Sequence, residues 1–516
     1  MDGARRLLKP TCYREKTRGQ PRLSHHACMS EVPEGYNTPI PSSITTPDSV
    51  ETRIGRLEFF DGVPTPSTSA LLWDHLDFLR GVEVFLNGIP AASLEAMNRG
   101  LQSLGLDACH KAVIADELLD SNGLFLTGNT DTVYASVLID LERDGPTVVE
   151  IPPGCGPGTV NDAWFRFVVD MGGPGLDRGA GGRYLVLRDD DHTTAIPEDV
   201  FVARSPSRVN WLILRGFLVD GRPAEANKMF RNGLKVYPLS GADAPPEMEF
   251  VSMSGKVFNT IHANDFSFFE ELNRVIQREP IGVIDAETRG LLASVGIEKG
   301  LPFSPDERMQ AILTEAVAVG NATARTIDFR PRDPETLVYD DRRWMTAFVG
   351  GDYRWLRRDG DGGRNLDART LFFYFATVNT PAMALKMVGV GSQYAAAMTD
   401  ADGEALDGSA RYRLHLPTDI PAKDFWSIVV YDPQTRSELQ TGQRFPSLNS
   451  ARDELTYNDD GSLEIHFGPE PPAGQDCNWI QTVPGKSWFT LIRLYGPLES
   501  WFDQSWRPGD LELIGR

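Results

Sequence analysis

The hydrophobic positions of the chain change their period from one region to the next. Residues 72–86 carry apolar residues at helical spacing, which predicts a helix that ends near Gly88 and Pro90. Between residues 124 and 205, short segments rich in β-branched and aromatic residues are separated by Pro-Gly clusters. This second pattern predicts a β-sandwich or barrel rather than alternating parallel strands and helices.

Helical spacing returns over residues 208–345. Ser267 and Glu270 have the spacing of a capping box, and Ser304 precedes Pro305 as an N-cap precedes a first helical proline. We therefore expect a helical region in the middle of the chain.

Strand patterns reappear near the C-terminus. RYRLHL (411–416) and SLEIHF (462–467) alternate strictly between apolar and polar residues, which is typical of strands with one wet face. TLFFYFATV (370–378) is almost wholly apolar, and we predict a fully buried strand there.

These patterns predict a mainly β chain with α, made of two jelly-roll-like β-sandwich domains and an intervening helical region. Residues 1–68 are expected to form a disordered or extended arm, because much of this segment is rich in Pro, Ser and Thr. The first sandwich, with a helix pair, is assigned to residues 69–207, the helical region to 208–345 and the second sandwich to 346–516.

Composition and charge narrow the classes of partner. A chain of 516 residues is too long for one ordinary hydrophobic core, so two or three domains are expected. A chain that is 41% hydrophobic and 24% charged has the composition of a globular protein and is expected to fold. The net charge of −21 argues against nucleic acid, because phosphate binding needs clustered Lys and Arg, and it disfavours anionic membranes. No stretch approaches 18 consecutive apolar residues, so no membrane span is expected.

The N-terminal segment differs in charge from the rest of the chain. Residues 1–28 carry seven Lys or Arg and two acidic residues, a net of +5, so the remainder carries −26. This segment lacks the apolar core of a secretory signal and is interpreted as disordered, as an organellar targeting segment, or as sequence upstream of a start at Met29. The five cysteines show neither metal-ligand nor disulfide spacing, which favours a reducing, cytoplasmic location.

Two groups of motifs resemble a known pair of families. The first group contains GNTDTVYASVLIDL (128–141) and NDAWF (161–165). The second contains GVGSQYAAAMTDADGEALDG (389–408), YRLHLPTDIPAKDFWSIVVYDPQTRSELQT (412–441) and RLYGPLESWFDQSWRPGDLEL (493–513). With them the chain resembles proteins that pair domain of unknown function 1254, N-terminal, with domain of unknown function 1214, C-terminal. The resemblance implies jelly-roll-like sandwiches with a helical part between them, and it implies no reaction.

Three residues stand out as candidates for acid–base catalysis. Asp131 and Tyr134 lie where a polar segment enters a predicted strand, and Asn129 beside them is a candidate substrate-binding residue. The alternative is that Asn129 and Asp131 bond their own backbone, as such residues do in loops. His262 precedes a predicted helix together with Asn264 and Asp265. Helix capping would explain Asn264 or Asp265 without any function, but it does not explain His262, which is therefore a candidate general base.

Aromatic and guanidinium side chains form a candidate substrate-binding set. Such side chains line small-molecule and sugar sites, although tryptophans in a sandwich also serve as core. Arg493 alternates in phase with Phe489 and Leu491, so it is expected to be a buried cation with a carboxylate partner such as Asp432. The set consists of Trp164, Trp426, Tyr431, Arg436, Trp479 and Arg493.

A metal site is a further candidate. His415, Glu464 and His466 lie on the non-apolar faces of their strands, and together they would supply two imidazoles and a carboxylate, a ligand set for Fe(II) and similar ions. The alternative is that this face of the sheet is simply wet. No nucleotide cofactor is expected, because the Gly-rich run at 172–182 lacks the Lys-Ser/Thr of a phosphate loop.

Our hypothesis from these residues is an enzyme of the hydrolase or lyase type that acts on a small molecule by acid–base chemistry. The alternative is a non-catalytic protein whose sandwiches bind sugars or assemble with copies of the same chain. A small-molecule ligand is expected in the first case and a homo-oligomer in the second.

Overall fold

The computed structural model describes residue 35 and residues 38–474 and 476–516. The basic segment 1–28 and Met29 lie outside the described residues. The chain divides into a first unit that ends at Leu72 and a second unit from Trp73 to Arg516. In the first unit three short strands pair antiparallel in sequence order, so the range predicted as an arm includes a small sheet. These strands are β1 (Ser49–Thr52), β2 (Gly55–Phe60) and β3 (Val63–Pro64).

The first helix is longer than predicted. Helix α1 (Pro66–Ser103) continues through Gly88 and Pro90, where the sequence predicted its end. An added Cβ at Gly88 would lie 2.8 Å from Leu272 Cδ2, so glycine allows close packing at this point. The stretch around Pro90 is buried, and tertiary packing there outweighs the hydrogen bond that proline removes.

The first β-sandwich follows α1. Its two sheets have the strand orders β14-β4-β6-β12-β8-β9 and β11-β10-β7-β13, with the labels given at the end of this paragraph. One face of each sheet contributes to a shared core that contains Val137, Tyr184 and Leu212. The elements are β4 (Lys111–Ile114), β5 (Gly123–Leu124), β6 (Thr132–Asp140), β7 (Thr147–Ile151), β8 (Gly158–Asn161), β9 (Phe167–Met171), β10 (Gly182–Arg188), β11 (Phe201–Ser205), β12 (Val209–Phe217), α2 (Ala224–Gly233), β13 (Lys235–Pro238), β14 (Glu249–Ser252) and β15 (Phe258–Asn259).

Two apolar segments have a different secondary structure from the one predicted. Residues 209–217, placed at the start of the helical region, form the central strand β12. Residues 370–378, predicted as a buried strand, instead contribute most of a helix that ends at Phe375. Both segments are buried all round, so their sequences carry no polar face from which the period can be read.

Helices occupy the middle of the chain. Asn365 caps the helix that contains residues 366–375, since its side chain accepts a hydrogen bond from the backbone of Ala368. The predicted capping box is absent, because Asp265 rather than Ser267 supplies the accepting side chain, and it bonds the Ser267 N–H. The helices are α3 (Ser267–Arg278), α4 (Ala286–Ser294), α5 (Glu307–Phe329), α6 (Leu366–Phe375) and α7 (Pro381–Ala384).

The cap of α5 lies two residues later than predicted. Asp306, not Ser304, is the N-cap, and its Oδ1 accepts from the backbone N–H of Met309 at 2.8 Å. We expect Asp306→Ala to lower the free energy of unfolding by about 1 kcal/mol, because it removes this bond. Ser304→Ala is the matched control and is expected to change it by less than about 0.5 kcal/mol. Urea denaturation of both variants measures the difference, and equal losses would contradict the assignment.

The second β-sandwich contains the two alternating segments that predicted strands, and both strands are confirmed. RYRLHL forms β17 and SLEIHF forms most of β20, and the two strands pair antiparallel. The sheets have the orders β16-β22-β18-β19 and β21-β20-β17-β23 and share a second core. The elements are β16 (Ser392–Ala397), β17 (Arg411–Leu416), β18 (Ala422–Tyr431), β19 (Ser447–Asn449), β20 (Leu463–Gly468), β21 (Trp479–Gln481), β22 (Phe489–Pro497), α8 (Glu499–Phe502) and β23 (Glu512–Gly515).

A third core joins the two sandwiches and the helices. It contains Tyr134 and Ile213 from β6 and β12, Tyr431 and Leu491 from β18 and β22, and residues of α6 such as Phe372. One sheet of each sandwich thus packs a second apolar face against this shared core. The mainly β architecture with α is confirmed. Within the described residues, no helix is long and apolar enough to cross a bilayer.

Candidate functional site

Each sandwich contributes one tyrosine–arginine pair to a cavity whose wall includes residues of the third core. On β6 and β12, Tyr134 lies opposite Arg215, whose guanidinium carbon is 5.7 Å from the centre of the tyrosine ring. On β16 and β22, Tyr394 lies opposite Arg493 with a corresponding distance of 5.9 Å. All four side chains line one cavity of about 50 Å³, which we call the arginine cavity.

Both arginines of this cavity are buried and have no ion-pair partner in the part of the chain that the structure describes. Arg215 is 8% exposed and Arg493 is 3% exposed, and neither forms a salt bridge with a described carboxylate. Arg493 Nη2 donates to the carbonyl oxygen of Thr127 at 2.7 Å, whereas its Nη1 has no hydrogen-bond partner among the described residues. Asp432, the partner predicted for Arg493, pairs with Lys486 instead.

Asn129 orients the hydroxyl group of Tyr134. Asn129 Oδ1 accepts from the backbone N–H groups of Asp131 at 2.9 Å and Thr132 at 3.2 Å, so its Nδ2 faces Tyr134 and donates to the phenol oxygen. The phenol hydrogen is therefore free to bond a molecule in the cavity. Burial raises the pKa of Tyr134 to about 12, which keeps the phenol protonated at neutral pH. Asn129 thus bonds its own backbone, as one alternative held, and also lines the cavity.

The remaining cavity wall is mostly apolar. No Asp, Glu or His side chain is among the described residues that line it. The ionisable side chains at its surface are therefore arginines and tyrosines, which favours a ligand rich in acceptors. The apolar part of the wall includes Phe125, Ile213, Phe348, Phe372, Phe375 and Leu491.

Asp131 lies outside the arginine cavity and binds the second sandwich. Its carboxylate accepts from Ser427 Oγ at 2.5 Å, from Asn449 Nδ2 at 3.0 Å and from the Tyr495 hydroxyl at 3.1 Å. These donors belong to β18, β19 and β22, so one buried carboxylate holds three strands of the other sandwich. We call this group of four residues the carboxylate clasp. The acid–base role suggested for Asp131 does not fit a carboxylate whose two oxygens are occupied in this way.

His262 and Arg436 lie in a separate, more open cleft of about 650 Å³. The His262 ring is surrounded by the rings of Phe85, Phe268 and Tyr374. Burial, with the charge of Arg436 nearby, lowers the pKa of His262 to about 3, so this histidine is neutral at physiological pH. The structure therefore places the three predicted catalytic residues in three different environments.

Titration of His262 gives a testable pH dependence. Because its pKa is lowered from 6.5 on folding, its contribution to stability is complete above pH 6.5 and is lost as the pH falls toward 3. The free energy of unfolding of the wild type, relative to that of His262→Gln, is expected to fall by about 3 kcal/mol between pH 6.5 and pH 4. Urea denaturation at several pH values measures this difference. His192→Gln, at an exposed position, is the control, and parallel pH profiles for wild type and His262→Gln would contradict the assignment.

The predicted aromatic set does not converge on one site. Trp164 packs against the third core, and Trp426 belongs to the core of the second sandwich. Trp479 lies on β21, in the other sheet of the second sandwich from Trp426, and its indole N–H donates to the carbonyl oxygen of Gly468 at 3.0 Å. Tyr431 does not line the arginine cavity, but the centre of its ring lies 5.5 Å from the guanidinium carbon of Arg493. Its hydroxyl donates to the carbonyl oxygen of Gly128 at 2.7 Å.

Two of the three predicted metal ligands, His415 and Glu464, bond one another, whereas both ring nitrogens of His466 lack a hydrogen-bond partner among the described residues. His415 Nδ1 lies 2.7 Å from Glu464 Oε1, and Arg413 lies 3.5 Å from the other oxygen of the same carboxylate. His466 lies opposite Arg413 in the strand register. Among the described residues, no group of three or more His, Cys, Asp or Glu side chains is placed to hold a metal ion. His415, Glu464 and His466 are thus not arranged as the predicted ligand set in the described part of the chain, and Arg413 lies beside the Glu464 carboxylate.

Sequence reasoning missed Arg215 and Tyr394. The signal for Arg215 was present, since WLILRGF (211–217) contains one arginine in an otherwise apolar strand, as FTLIRLY (489–495) does for Arg493. Arg215 was overlooked because its segment was assigned to the helical region. Tyr394 carries no signal of its own and becomes visible only through its register with Arg493.

The chain is similar to two solved structures. It matches the VPA0106 protein from Vibrio parahaemolyticus with a TM-score of 0.51 and 17% identity, over 85% of this chain and 99% of that chain. It matches an uncharacterized protein from Burkholderia cenocepacia with a TM-score of 0.40 and 11% identity, over 87% and 97% of the two chains. The first likeness concerns the fold alone. None of the curated proteins compared with the chain matches it.

Two family models match separate parts of the chain. The model described as protein of unknown function (DUF1254) matches residues 111–238, and the model described as protein of unknown function (DUF1214) matches residues 391–499. The first match contains the Tyr134–Arg215 pair and the second contains the Tyr394–Arg493 pair. The chain therefore pairs an N-terminal DUF1254 region with a C-terminal DUF1214 region, in the order that its sequence motifs indicated.

Proposed function

We propose that the chain is an enzyme that binds a small organic anion in the arginine cavity and acts on it by proton transfer from Tyr134. The observation that carries the proposal is the burial of Arg215 and Arg493 at one cavity, with no carboxylate of the described residues in a salt bridge to either. Removing a charge from water costs several kcal/mol unless a counter-charge and hydrogen bonds replace the lost hydration. An anionic ligand with several acceptor oxygens supplies both.

Tyr134 is the candidate proton donor. Its phenol is protonated at neutral pH, its oxygen accepts from Asn129, and its hydrogen is free. In the proposed step the bond between a carboxylate group of the anion and its neighbouring carbon breaks, carbon dioxide leaves, and the Tyr134 Oη proton passes to the carbanion that remains. The resulting phenolate is stabilised by the adjacent Arg215 and Arg493. Solvent water then returns a proton to the phenolate.

The composition of the cavity wall favours a lyase over a hydrolase. Hydrolysis through a general base most often uses an imidazole or a carboxylate to activate water. The described residues lining the arginine cavity include neither. A reaction that needs only a proton donor and an anion-binding group is better supported, as in the cleavage of a bond adjacent to a carboxylate.

The test combines a substrate panel with a phenol deletion. Carboxylates of two to five carbons are incubated with the purified chain, and their conversion is followed by proton NMR. We expect conversion of at least one of them, and we expect Tyr134→Phe to lower its kcat about 100-fold or more while binding is retained. Tyr457→Phe, at a position that is 49% exposed, is the matched control and should leave kcat unchanged.

The same cavity also supports a non-catalytic role as a binding protein for small anions. This second function is favoured if the wild-type chain binds a carboxylate of the panel without converting any of them. Equal kcat values for wild type and Tyr134→Phe would overturn the role of the phenol, and failure of every anion to bind would overturn both functions.

A further inference from the structure

We infer that the ligand of the arginine cavity is a short dicarboxylate, each of whose acidic groups faces one of the two tyrosine–arginine pairs. The inference rests on the proposed function for the place where the ligand binds, and it adds the substrate class. The first support is duplication: each pair presents a guanidinium group and a phenol, and each pair belongs to a different sheet. A guanidinium group matches one carboxylate in geometry and charge.

The charges around the two pairs provide the second support. A single carboxylate bound to one arginine would leave the other buried cation without a partner. The protein's own carboxylates near the two arginines do not fill this role. Asp131 is held by the carboxylate clasp, and Asp170 is held by the Thr380 hydroxyl at 2.7 Å. Glu438 is buried near Arg493 with neither oxygen hydrogen-bonded to a described residue, but it forms no salt bridge with Arg493, and burial raises its pKa well above the usual range, which favours the uncharged carboxyl. Two acidic groups on one ligand would pair with both arginines.

The size of the cavity limits the length of the ligand. A cavity of about 50 Å³ is far smaller than the roughly 300–1,000 Å³ of pockets that take drug-sized ligands. Only a very small molecule fits such a space, which favours a dicarboxylate of two or three carbons. The aromatic side chains of Phe348, Phe372 and Phe375 close the wall against longer chains.

The inference is tested by calorimetric titration of the full chain with matched ligands at constant ionic strength. Oxalate and malonate are the short dianions, and oxamate and malonamate are their monoanionic isosteres. We expect at least one dianion to bind tenfold or more tightly than its isostere, and we expect glutarate to bind at least tenfold more weakly than that dianion. In Arg215→Gln and in Arg493→Gln the preference for dianion over isostere should disappear, because one acidic group has lost its cation.

The outcomes separate this inference from the proposed function. If oxamate and malonamate bind as tightly as oxalate and malonate, the dicarboxylate inference is overturned and the proposal of an anion site stands. If neither the dianions nor the monoanions bind the wild-type chain, both are overturned. The wild-type ligand series gives this answer by itself, so it does not depend on whether the arginine variants fold.

Discussion

Replacement of Asp131 by alanine is expected to lower the free energy of unfolding of the second unit by about 3–5 kcal/mol. The change removes the acceptor of the carboxylate clasp and leaves the hydroxyl or amide donors of Ser427, Asn449 and Tyr495 buried. Each buried donor without a partner costs about 1–3 kcal/mol. Urea denaturation followed by circular dichroism measures the loss.

Two further variants make the Asp131 result specific. Asp131→Asn keeps the shape and one acceptor oxygen, so a smaller loss than that of Asp131→Ala is expected. Asp459→Ala changes an exposed carboxylate and is expected to alter the free energy of unfolding by less than about 0.5 kcal/mol. A loss below about 1 kcal/mol for Asp131→Ala would mean that the clasp does not hold the sandwiches together.

The expected effect of Arg215→Met has the opposite sign. Methionine replaces a buried cation that forms no ion pair with the described residues, so the ligand-free variant is expected to be as stable as the wild type or more stable, by up to about 1–4 kcal/mol. Binding of small carboxylates should be lost at the same time, because one of the two guanidinium groups is gone. Denaturation without ligand and calorimetric titration with malonate measure the two effects separately.

An exposed arginine serves as the control for this result. Arg222→Met is expected to change neither stability by more than about 0.5 kcal/mol nor malonate binding. A destabilisation of more than about 2 kcal/mol by Arg215→Met would show that Arg215 is retained for packing against Tyr134. Greater stability of Arg215→Met together with lost binding is the result expected if Arg215 is retained for ligand binding at a cost in stability.

The sequence predicted elements well where one face of a strand is wet. β17 and β20 alternate between apolar and polar residues, and their alternation identified both as strands. β12 and α6 are buried on all sides, so no alternation distinguishes strand from helix, and both were assigned to the wrong class. The prediction that a helix ends near Pro90 was wrong for a related reason. Packing of the buried segment keeps the helix intact beyond a proline, a residue that normally ends one.

The sequence predicted only part of the candidate site, because some of the contacts join residues that are far apart in the chain. Asn129, Tyr134 and Arg493 were singled out as polar or charged residues at the edge of or inside apolar strands, and the structure places them in one cavity. Asp131 lies only three residues from Tyr134, yet its carboxylate bonds the other sandwich. Local spacing cannot show this, because the donors of the clasp are some 300 residues away in the chain.

The division of the arginine cavity between two sheets has a consequence for how such chains diversify. The DUF1254 region supplies one tyrosine–arginine pair and the DUF1214 region supplies the other, so each region encodes half of the proposed anion-binding site. A recombinant that joined regions from parents of different ligand preference would carry two mismatched halves, even if both sandwiches folded. Selection for binding of one ligand would therefore act on the two regions jointly. Substitutions in one region would be limited to those compatible with the ligand group that the other region binds.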